Sequence, residues 1–246
     1  MLRKWNTVDV VDFLNKKKFT VLFSGGKDST AVLLWVLDHI NHSDWNILYV
    51  EVTGNTHPLC TRYVVELCEE LDLESKLIIG SNGKYEFFEC LRRWGVPIIG
   101  KYRWCMYNFK IKVIKKYARG VQVTGIKKSD SHMRRKREKV EFFKLTKTIA
   151  VNPLANWSTK QVLNYLKEHN IRLNPCYKLY CHSGNCMFCP YHSKKQIIRT
   201  LQDPEWRNKI LNSLKHGKGR VSKEKYNLWM KWKSQTTLIG GGSYVA

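Results

Sequence analysis

A glycine-containing segment near the amino terminus, Ser-Gly-Gly-Lys-Asp-Ser at residues 24–29, carries the residue types that bind phosphate. Its two adjacent glycines allow backbone N–H groups to turn toward an anion. Lys27 adds a positive charge, and the hydroxyl groups of Ser24 and Ser29 can donate hydrogen bonds. The segment lacks the earlier glycine of a Walker loop, which disfavours a kinase or GTPase mechanism. The pattern predicts a phosphate site of another kind, the alternative being an ordinary strand-to-helix turn.

Four cysteines are grouped around residue 180, and two of them have the spacing of metal ligands. Cys186 and Cys189 form a C-x-x-C pair, which allows two thiolates to bind one metal centre. The best candidates to complete a four-thiolate site are Cys105 and Cys176, with Cys181 as a competing fourth ligand. Four thiolates suit either an iron-sulfur cluster or zinc, and ligand type does not separate them. The other cysteines fall in helical patterns and are expected to be small buried side chains: Cys60, Cys68 and Cys90.

The phosphate segment lies between a predicted strand and a predicted helix. Residues Phe19–Phe23 form a compact apolar run, and a helix-length apolar stretch covers Thr30–Ile40. Further predicted strands cover 47–52, 76–79 and 121–124, and further predicted helices cover 58–71, 85–94 and 107–118. Strands alternating with helices predict an α/β fold with a doubly wound parallel sheet. Ligands of such a sheet bind at the carboxyl ends of its strands.

The pattern changes in the second half of the chain. Residues 127–139 hold seven Lys or Arg and two acidic residues, which is typical of a solvated loop. A strand-like stretch follows over 142–151, and Ser158 is the predicted N-cap of a helix that ends near His169. Residues 174–191 are predicted to be a loop. We therefore expect a nucleotide-binding α/β domain over residues 1–160 and a Cys-rich, metal-binding, basic helical region over 161–246.

The composition limits the classes of partner. The 246 residues are enough to bury a core, and 43 Lys and Arg against 20 Asp and Glu give a formal net charge of +23. Such a charge attracts polyanions, so nucleic acid is a candidate partner, with phosphate-rich small substrates as the alternative. No apolar run is long enough to span a membrane and no signal-peptide core is present, which predicts a cytoplasmic protein. Cysteines are kept reduced there, so clustered thiols indicate metal binding or catalysis before disulfides.

Several blocks in a fixed order resemble a known family. The 24–29 segment resembles the PP-loop of the adenine nucleotide alpha hydrolase superfamily, which has a Rossmann-like fold. The later blocks are similar to those of its phosphoadenosine phosphosulfate (PAPS) reductase-like family. These blocks are Glu-Val-Thr-Gly-Asn at 51–55, Tyr-Arg-Trp-Cys-Met at 102–106, the Gly-to-Arg segment 125–134, Asn-Pro-Leu at 152–154 and Asn-Pro at 174–175. In the 125–134 block, Lys127 and Asp130 stand where the family has Arg and Glu.

The resemblance implies the position of an adenine nucleotide. The base would lie on residues 50–54, and the phosphates on the glycine loop, with Asp28 placing the loop or a metal ion such as Mg²⁺. Lys127 and Arg134 would contact the distal anion, to which the ammonium of Lys127 is suited as a flexible point charge. The nucleotide-binding set so implied, for ATP or an adenylyl sulfate, is Ser24, Gly25, Gly26, Lys27, Asp28, Ser29, Thr53, Gly54, Gly125, Lys127 and Arg134.

The resemblance also implies the nature of the cysteine site. In the family an iron-sulfur cluster is commonly held by a cysteine at the position of Cys105 and by the C-x-x-C pair. The DNA phosphorothioation branch has a further cysteine about ten residues before that pair, which matches Cys176. A 4Fe-4S cluster is therefore favoured over zinc. The family's assimilatory reductases use a cysteine near the C-terminus as nucleophile, whereas the last cysteine here is Cys189, which leaves Cys181 as the candidate nucleophile.

Three functions follow as hypotheses. The first is ATP-dependent sulfur transfer to nucleic acid, tRNA or DNA, with Lys27 and Asp28 in catalytic roles and a sulfur donor or thiol partner protein. Residues 194–233 support it with twelve Lys or Arg against three acids, and their aromatic residues could stack on bases or form a helical core: Trp206, Tyr226, Trp229 and Trp232. The second is a PAPS or adenylyl-sulfate reductase that uses Cys181 or a partner's thiol. The third is a nucleic-acid-binding protein with a degenerate enzyme site.

Overall fold

The protein is built on a six-stranded sheet with helices packed against it. The structure is a computed structural model, which describes residues 9–98 and 103–215. The strands are β1 (Phe19–Phe23), β2 (Trp45–Val50), β3 (Leu77–Gly80), β4 (Val121–Val123), β5 (Val140–Phe143) and β6 (Thr148–Val151). Their order is β3-β2-β1-β4-β6-β5. All neighbours pair in parallel except β5 and β6. The predicted α/β class with a largely parallel sheet is confirmed.

The helices follow the strands in the expected alternation. They are α1 (Val10–Asn15), α2 (Lys27–His39), α3 (Pro58–Glu70), α4 (Phe87–Trp94), α5 (Trp104–Met106), α6 (Lys112–Tyr117), α7 (Thr159–Glu168), α8 (Cys176–Tyr180), α9 (Lys194–Gln202) and α10 (Pro204–Lys215). A π-helical turn, Tyr107–Ile111, joins α5 to α6. Short 3₁₀ turns cover Glu74–Lys76, Lys128–Asp130 and His132–Arg134.

The core fixes the two elements that flank the phosphate segment. β1 lies between β2 and β4, and four of its five residues are buried. In α2, every residue from Ser29 to Val36 is buried, because α2 packs against both β1 and α7. The loop between β1 and α2 is therefore anchored at both ends by elements that cannot shift without opening the core.

The structure corrects several details of the sequence analysis. The single strand-like stretch over 142–151 is wrong, because β5 and β6 form an antiparallel hairpin that turns at residues 144–147, with Lys147 at φ +57°. The predicted loop 174–191 contains α8. Ser158 is confirmed as the N-cap of α7, where it forms a capping box with Gln161. The division after residue 160 falls within α7, and the two-domain organisation stays a prediction.

Two further expectations concern aromatic residues and membranes. Trp206 is only 3% exposed and belongs to the core, which confirms the core alternative for this residue. Tyr226, Trp229 and Trp232 lie outside the described residues. In the described part of the chain, none of the helices combines the length and the apolar character that crossing a lipid bilayer requires.

Candidate functional site

The phosphate segment forms a tight turn that only glycine allows. Gly25 has φ +67°, in the left-handed region, and Gly26 is the N-cap of α2. A Cβ atom on Gly25 would lie 3.0 Å from the Cys60 sulfur and 3.3 Å from Asn174 Nδ2. Both the backbone conformation and the close packing therefore require glycine at position 25.

The hydrogen bonds of this turn leave donors facing outward. The Ser24 N–H donates to Ser29 Oγ at 3.1 Å, and Ser29 Oγ donates to the Gly26 carbonyl at 2.9 Å. The Lys27 N–H donates to the Tyr177 hydroxyl at 3.1 Å. Within the described residues no acceptor pairs with the N–H groups of Gly26 or Asp28. The first turn of α2 thus offers backbone donors to an anion, as its dipole also favours.

A cleft of about 280 Å³ opens in front of this turn, at the carboxyl ends of β1 and β4. It is lined by Leu22, Ser24, Gly26, Asp28, Ser29, Gly125, Ile126, Arg134, Tyr177 and Ser183. Six residues of the implied nucleotide set therefore meet here. Glycine at position 125 allows the backbone after β4 to lie close to the first turn of α2, since a Cβ atom there would lie 2.8 Å from the carbonyl of Asp28. Tyr177 and Ser183 were missed by the sequence analysis, and their only signal was their place in the segment that holds Cys181.

Charged side chains at the cleft form a chain of alternating sign. Lys27 Nζ lies 2.6 Å from Asp28 Oδ2, and Lys127 Nζ contacts both Asp28 and Asp130, the latter at 2.7 Å. Arg134 completes the chain with a 2.6 Å contact to Asp130. Burial alone would raise the pKa of Asp130, but hydrogen bonds and charge from Lys127 and Arg134 lower it below its ordinary value.

Lys127 occupies a different environment from the one expected. Its side chain is 0% exposed and faces Asp28 and Asp130, and the residue does not line the cleft, whereas Arg134 does. In this structure Lys127 holds Asp28 in position. Direct contact of Lys127 with an anion stays a prediction.

The segment implied to hold the adenine does not reach the cleft in this structure. Gly54 has φ +80°, and the Glu86 side chain occupies the space where its Cβ would lie. The Thr53 carbonyl accepts a hydrogen bond from the Phe87 N–H at 2.9 Å. Thr53 and Gly54 therefore support the start of α4, and their contact with a base stays a prediction.

The cysteine-containing segment is docked on the carboxyl end of β2 by buried asparagines. Asn55 Oδ1 accepts from the Phe188 N–H at 2.8 Å, and Asn55 Nδ2 donates to the Phe188 carbonyl at 3.0 Å. Asn185 Nδ2 donates to the Val50 carbonyl at 3.1 Å. Asn174 Nδ2 bridges the carbonyls of Gly25 and Ser183, both at 2.9 Å. One polar network thus ties the phosphate turn to the cysteines.

Three of the four predicted metal ligands lie together around a lysine. Cys186, followed by Cys189 and Cys105, raises the pKa of Lys110 against the opposing effect of burial, and Lys110 Nζ donates to Asn185 Oδ1 at 3.2 Å. Burial raises the pKa of Cys105 and raises that of Cys189 to about 12. Lys110 was not among the predicted site residues. It supplies the positive charge that a set of thiolates requires.

The fourth predicted ligand has Cys60 as its neighbouring thiol, and Cys60 in turn interacts with Cys186. Cys176 is fully buried, and its pKa is raised to about 12 by burial and then by Cys60, its interacting thiol. Cys181 follows α8 at φ +61°, and its carbonyl accepts from Gln196 Nε2 at 3.0 Å. Within residues 9–98 and 103–215, no three His, Cys, Asp or Glu side chains are spaced to hold one metal ion.

The donor types nevertheless fit a thiolate-bound cluster. A single zinc ion would need its sulfurs about 3.8 Å apart, from a Zn–S distance of about 2.3 Å, whereas a cluster of four irons holds its cysteine sulfurs farther apart. Arg103 lies beside Cys105, lowers the pKa of its thiol against the larger effect of burial, and has a buried Nε without a partner in the described structure. Arg103 and Lys110 are cations suited to an anionic group at Cys105, Cys186 and Cys189.

A glycine turn at the carboxyl ends of the strands of a largely parallel sheet is the arrangement of an α/β protein with a nucleotide-binding fold. Residues 18–192 match the phosphoadenosine phosphosulfate reductase domain family. The chain belongs to this family, which confirms the resemblance found in the sequence.

Individual relatives are distant. The chain is 25% identical to an uncharacterized protein of Methanocaldococcus jannaschii over 88% of this chain and 44% of the relative. It is 29% identical to the adenosine 5'-phosphosulfate reductase of Salinibacter ruber over 35% of this chain and 34% of the relative. The chain thus spans less than half the length of either curated relative.

Two solved structures are similar to the chain. The phosphoadenylyl-sulfate reductase of Candida auris, in a phosphate complex, covers 70% of this chain and 93% of its own, with 17% identity and a TM-score of 0.47. The U34-tRNA thiolase NcsA of Methanococcus maripaludis, with its 4Fe-4S cluster, covers 92% and 74%, with 15% identity and a TM-score of 0.41. At these TM-scores, neither structure supports a conclusion about the activity or the ligands of this chain.

Proposed function

We propose that the protein binds ATP in the cleft and carries out iron-sulfur-dependent sulfur transfer to nucleic acid. The observation that carries the proposal is the shared polar network, in which Asn174 and Asn185 join the phosphate turn, the end of β2 and the segment of Cys186. A nucleotide phosphate and a thiol-held group would then lie at the same edge of one sheet. Membership of the family and the charge of +23 support an adenine nucleotide and a polyanionic acceptor, respectively.

The first step would activate an oxygen of the acceptor. That oxygen attacks the α-phosphorus of ATP, the bond between the α-phosphorus and its bridging oxygen breaks, and pyrophosphate leaves. The N–H groups of Gly26 and Asp28 are suited to bind phosphate oxygens, and Asp28 to hold Mg²⁺. Lys27, which is paired with Asp28 at 2.6 Å, is positioned to turn toward the departing pyrophosphate.

The second step would replace the activated oxygen. Hydrosulfide sulfur, from a donor protein or free sulfide, attacks the atom that carries the adenylylated oxygen, and AMP leaves with that oxygen. Cys105, Cys186 and Cys189 are the residues that would hold a 4Fe-4S cluster, which supplies a Lewis-acidic iron for binding sulfide. Lys110 and Arg103 would balance the negative charge of these thiolates.

The test is release of pyrophosphate from ATP by anaerobically purified protein, with and without tRNA or single-stranded DNA. We expect release that nucleic acid stimulates, that Asp28→Asn abolishes and that Cys181→Ser leaves unchanged. Iron and sulfide analysis of the parent and of Cys105→Ala tests the cluster, with loss of iron expected in the variant. No pyrophosphate with any nucleic acid tried would contradict the transfer reaction, and a colourless protein loaded with zinc would contradict the cluster.

A second candidate function is reduction of an adenylyl sulfate. It is favoured by the position of Cys181, a partly exposed thiol between the cleft-lining residues Tyr177 and Ser183. The thiol would attack the sulfate sulfur, the bond from that sulfur to the phosphate oxygen would break, and the adenosine phosphate would leave. One thiol of a partner would then attack the Cys181 sulfur and release sulfite, and the partner's second thiol would restore the Cys181 thiol as the partner's disulfide forms. Sulfite release from an adenylyl sulfate that Cys181→Ser abolishes would establish this reaction instead. Absence of any nucleotide binding in calorimetry would favour the third hypothesis, a nucleic-acid-binding protein with a degenerate site.

A further inference from the structure

One face beside the cleft carries a surplus of positive charge. Residues 127–147 contain nine Lys or Arg and three acidic residues. We call the basic face the three exposed cations in the loop before β5 that pair with no acidic side chain in the described structure, namely Arg135, Lys136 and Lys139. This loop enters β5 at Val140, which pairs with Val151 at the carboxyl end of β6, the edge of the sheet at which the cleft opens.

The acidic residues of this segment are already occupied. Asp130 pairs with Arg134 at 2.6 Å and with Lys127, and Glu141 pairs with Arg137 at 3.0 Å. Glu138 lies 4.0 Å from Lys128. Because these pairs use all three acids, the charge of the basic face remains uncompensated. A polyanion would neutralise it, and the mutual repulsion of the three cations would then be relieved.

The basic face is continuous with the cleft through Arg134. Arg134 lines the cleft together with Asp28 and Gly26 and directly precedes Arg135. A strand of phosphates that follows the basic face would therefore approach the cleft at Arg134. Its next group would then be close to a nucleotide bound at the phosphate turn.

An exposed aromatic side chain lies on the strand that directly follows the basic face. Phe142, on the edge strand β5, is 58% exposed, and the neighbouring Phe143 ring is covered by the Arg137 guanidinium at 5.3 Å. Aromatic rings among cations stack on unpaired bases, whereas the bases of a duplex are stacked on each other and closed to such contact. The combination favours a single-stranded ligand over a duplex.

We propose that the basic face and Phe142 bind a single-stranded segment of nucleic acid and lead it into the cleft at Arg134. The inference rests on the proposed function, since it names the surface that receives the acceptor of that reaction. RNA and DNA share the phosphate and base chemistry that this surface recognises. The two are distinguished as arms of the experiment.

The chain offers a matched control surface. Lys112, Lys115 and Lys116 are exposed on α6, which packs against β2 and β3 on the half of the sheet away from β5. The triple variants Arg135→Ala/Lys136→Ala/Lys139→Ala and Lys112→Ala/Lys115→Ala/Lys116→Ala remove the same charge. General electrostatic attraction would be lowered equally in both.

The test is fluorescence anisotropy with a labelled oligonucleotide of about 20 nucleotides, as single-stranded RNA, single-stranded DNA and duplex, over a range of salt concentrations. We expect the basic-face variant to lower the slope of log affinity against log salt by about two, from about 0.7 for each lost phosphate contact. The α6 variant should keep the parent slope. Phe142→Leu should weaken single-strand binding at least about fivefold, and Phe142→Trp should retain it.

Other outcomes would overturn the inference. These are equal losses in the two triple variants, preference for the duplex, or a Phe142→Leu change that alters only self-association in sedimentation. Calorimetry of ATP binding separates this inference from the proposed function, because Arg134 and the phosphate turn are intact in every variant. If ATP binds and pyrophosphate is released while the basic-face variant binds single strands like the parent, the surface is wrong and the reaction stands.

Discussion

At the scale of single residues, Lys127 is the residue whose surroundings matter most to the cleft. A lysine within a basic loop is expected to be solvated, yet the Lys127 side chain is 0% exposed and its ammonium contacts two carboxylates. Its sequence neighbours gave no signal of burial, because the contact with Asp28 joins positions 99 residues apart. The family resemblance indicated that position 127 belongs to the site, but it did not indicate that Lys127 pairs with Asp28 and Asp130.

Replacement of Lys127 should destabilise the fold. Lys127→Met leaves Asp28 and Asp130 without their shared cation, and we expect the free energy of unfolding in urea to fall by about 3 kcal/mol. The control Lys128→Met removes a one-third-exposed lysine that lies 4.0 Å from Glu138, and should change stability by less than about 1 kcal/mol. An equal loss of unfolding free energy in the two variants would contradict a stabilising role of the buried contacts of Lys127.

His182 should make stability depend on pH. Its Nδ1 accepts from the Gly184 N–H at 3.1 Å, and its Nε2 lies 3.1 Å from Thr200 Oγ1. Burial and then the charge of His57 lower the pKa of His182 from 6.5 to about 4. The unfolded chain therefore binds a proton that the folded chain excludes, so this contribution is complete above pH 6.5 and is lost as the pH falls toward 4.

The measurement is urea unfolding at a series of pH values. Between pH 6.5 and 4, His182 should account for a loss of up to about 3 kcal/mol. His182→Asn, which keeps an acceptor for Gly184, should flatten this part of the profile. The exposed His132→Asn should leave the parent slope, and an unchanged slope in His182→Asn would contradict the assignment.

At the scale of elements, the phosphate turn requires glycine for two separate reasons, and they can be separated experimentally. Gly25→Ala places a left-handed alanine against the Cys60 sulfur at 3.0 Å, whereas Gly83→Ala places one at φ +64° in open space. Gly83→Ala should cost about 1 kcal/mol from backbone strain alone. Gly25→Ala should cost more and weaken ATP binding at least tenfold in calorimetry, and equal costs would show that the packing at the turn is loose.

Asn55 should control how firmly the cysteine segment is held. Asn55→Ala leaves the N–H and carbonyl of Phe188 without their buried partners, and we expect a loss of about 3 kcal/mol in unfolding free energy. Cys186 and Cys189 should then react faster with a thiol reagent, as followed by mass spectrometry. Asn82→Ala, which also removes two side-chain hydrogen bonds but in the partly exposed turn after β3, should leave the thiol rates unchanged.

The elements that the sequence predicted well are those with long apolar runs. The order from β1 to β4 was predicted with boundaries that differ by a few residues, because each strand is a short apolar run and each helix has a helical pattern. The β5–β6 hairpin was not recognised, since its turn contains no Gly, Pro, Asn or Asp and places Lys147 in the left-handed region. The five-residue helix α8 is too short to have a recognisable period.

The candidate site was predictable in its residue types but not in its pairings. Six residues of the implied nucleotide set meet in the cleft because they follow strands at one edge of the sheet. Cys176 interacts with Cys60, which also interacts with Cys186, and its place in a four-thiolate site stays a prediction. Spacing along the chain cannot show which of several buried thiols share one side of a helix.

At the scale of the whole molecule, the net charge of +23 should govern stability as well as binding. Like charges repel one another in the compact state, and salt screens this repulsion. We expect the midpoint of thermal unfolding in scanning calorimetry to rise as NaCl is increased from low to physiological concentration. A falling midpoint would indicate that the ion pairs around Asp28 and Asp130 outweigh the repulsion.

The π-helical turn Tyr107–Ile111 determines which side chain shares a helix face with Cys105. In a regular α-helix a residue shares a face with the residue four positions on, whereas a π turn spaces them by five. Cys105 and Lys110 are five positions apart and interact. Loss of one residue between them would leave the two residues four positions apart in a regular α-helix, still on one face, whereas insertion of one residue would rotate Lys110 by about 100° away from the sulfurs. This stretch should therefore tolerate single-residue deletions better than single-residue insertions.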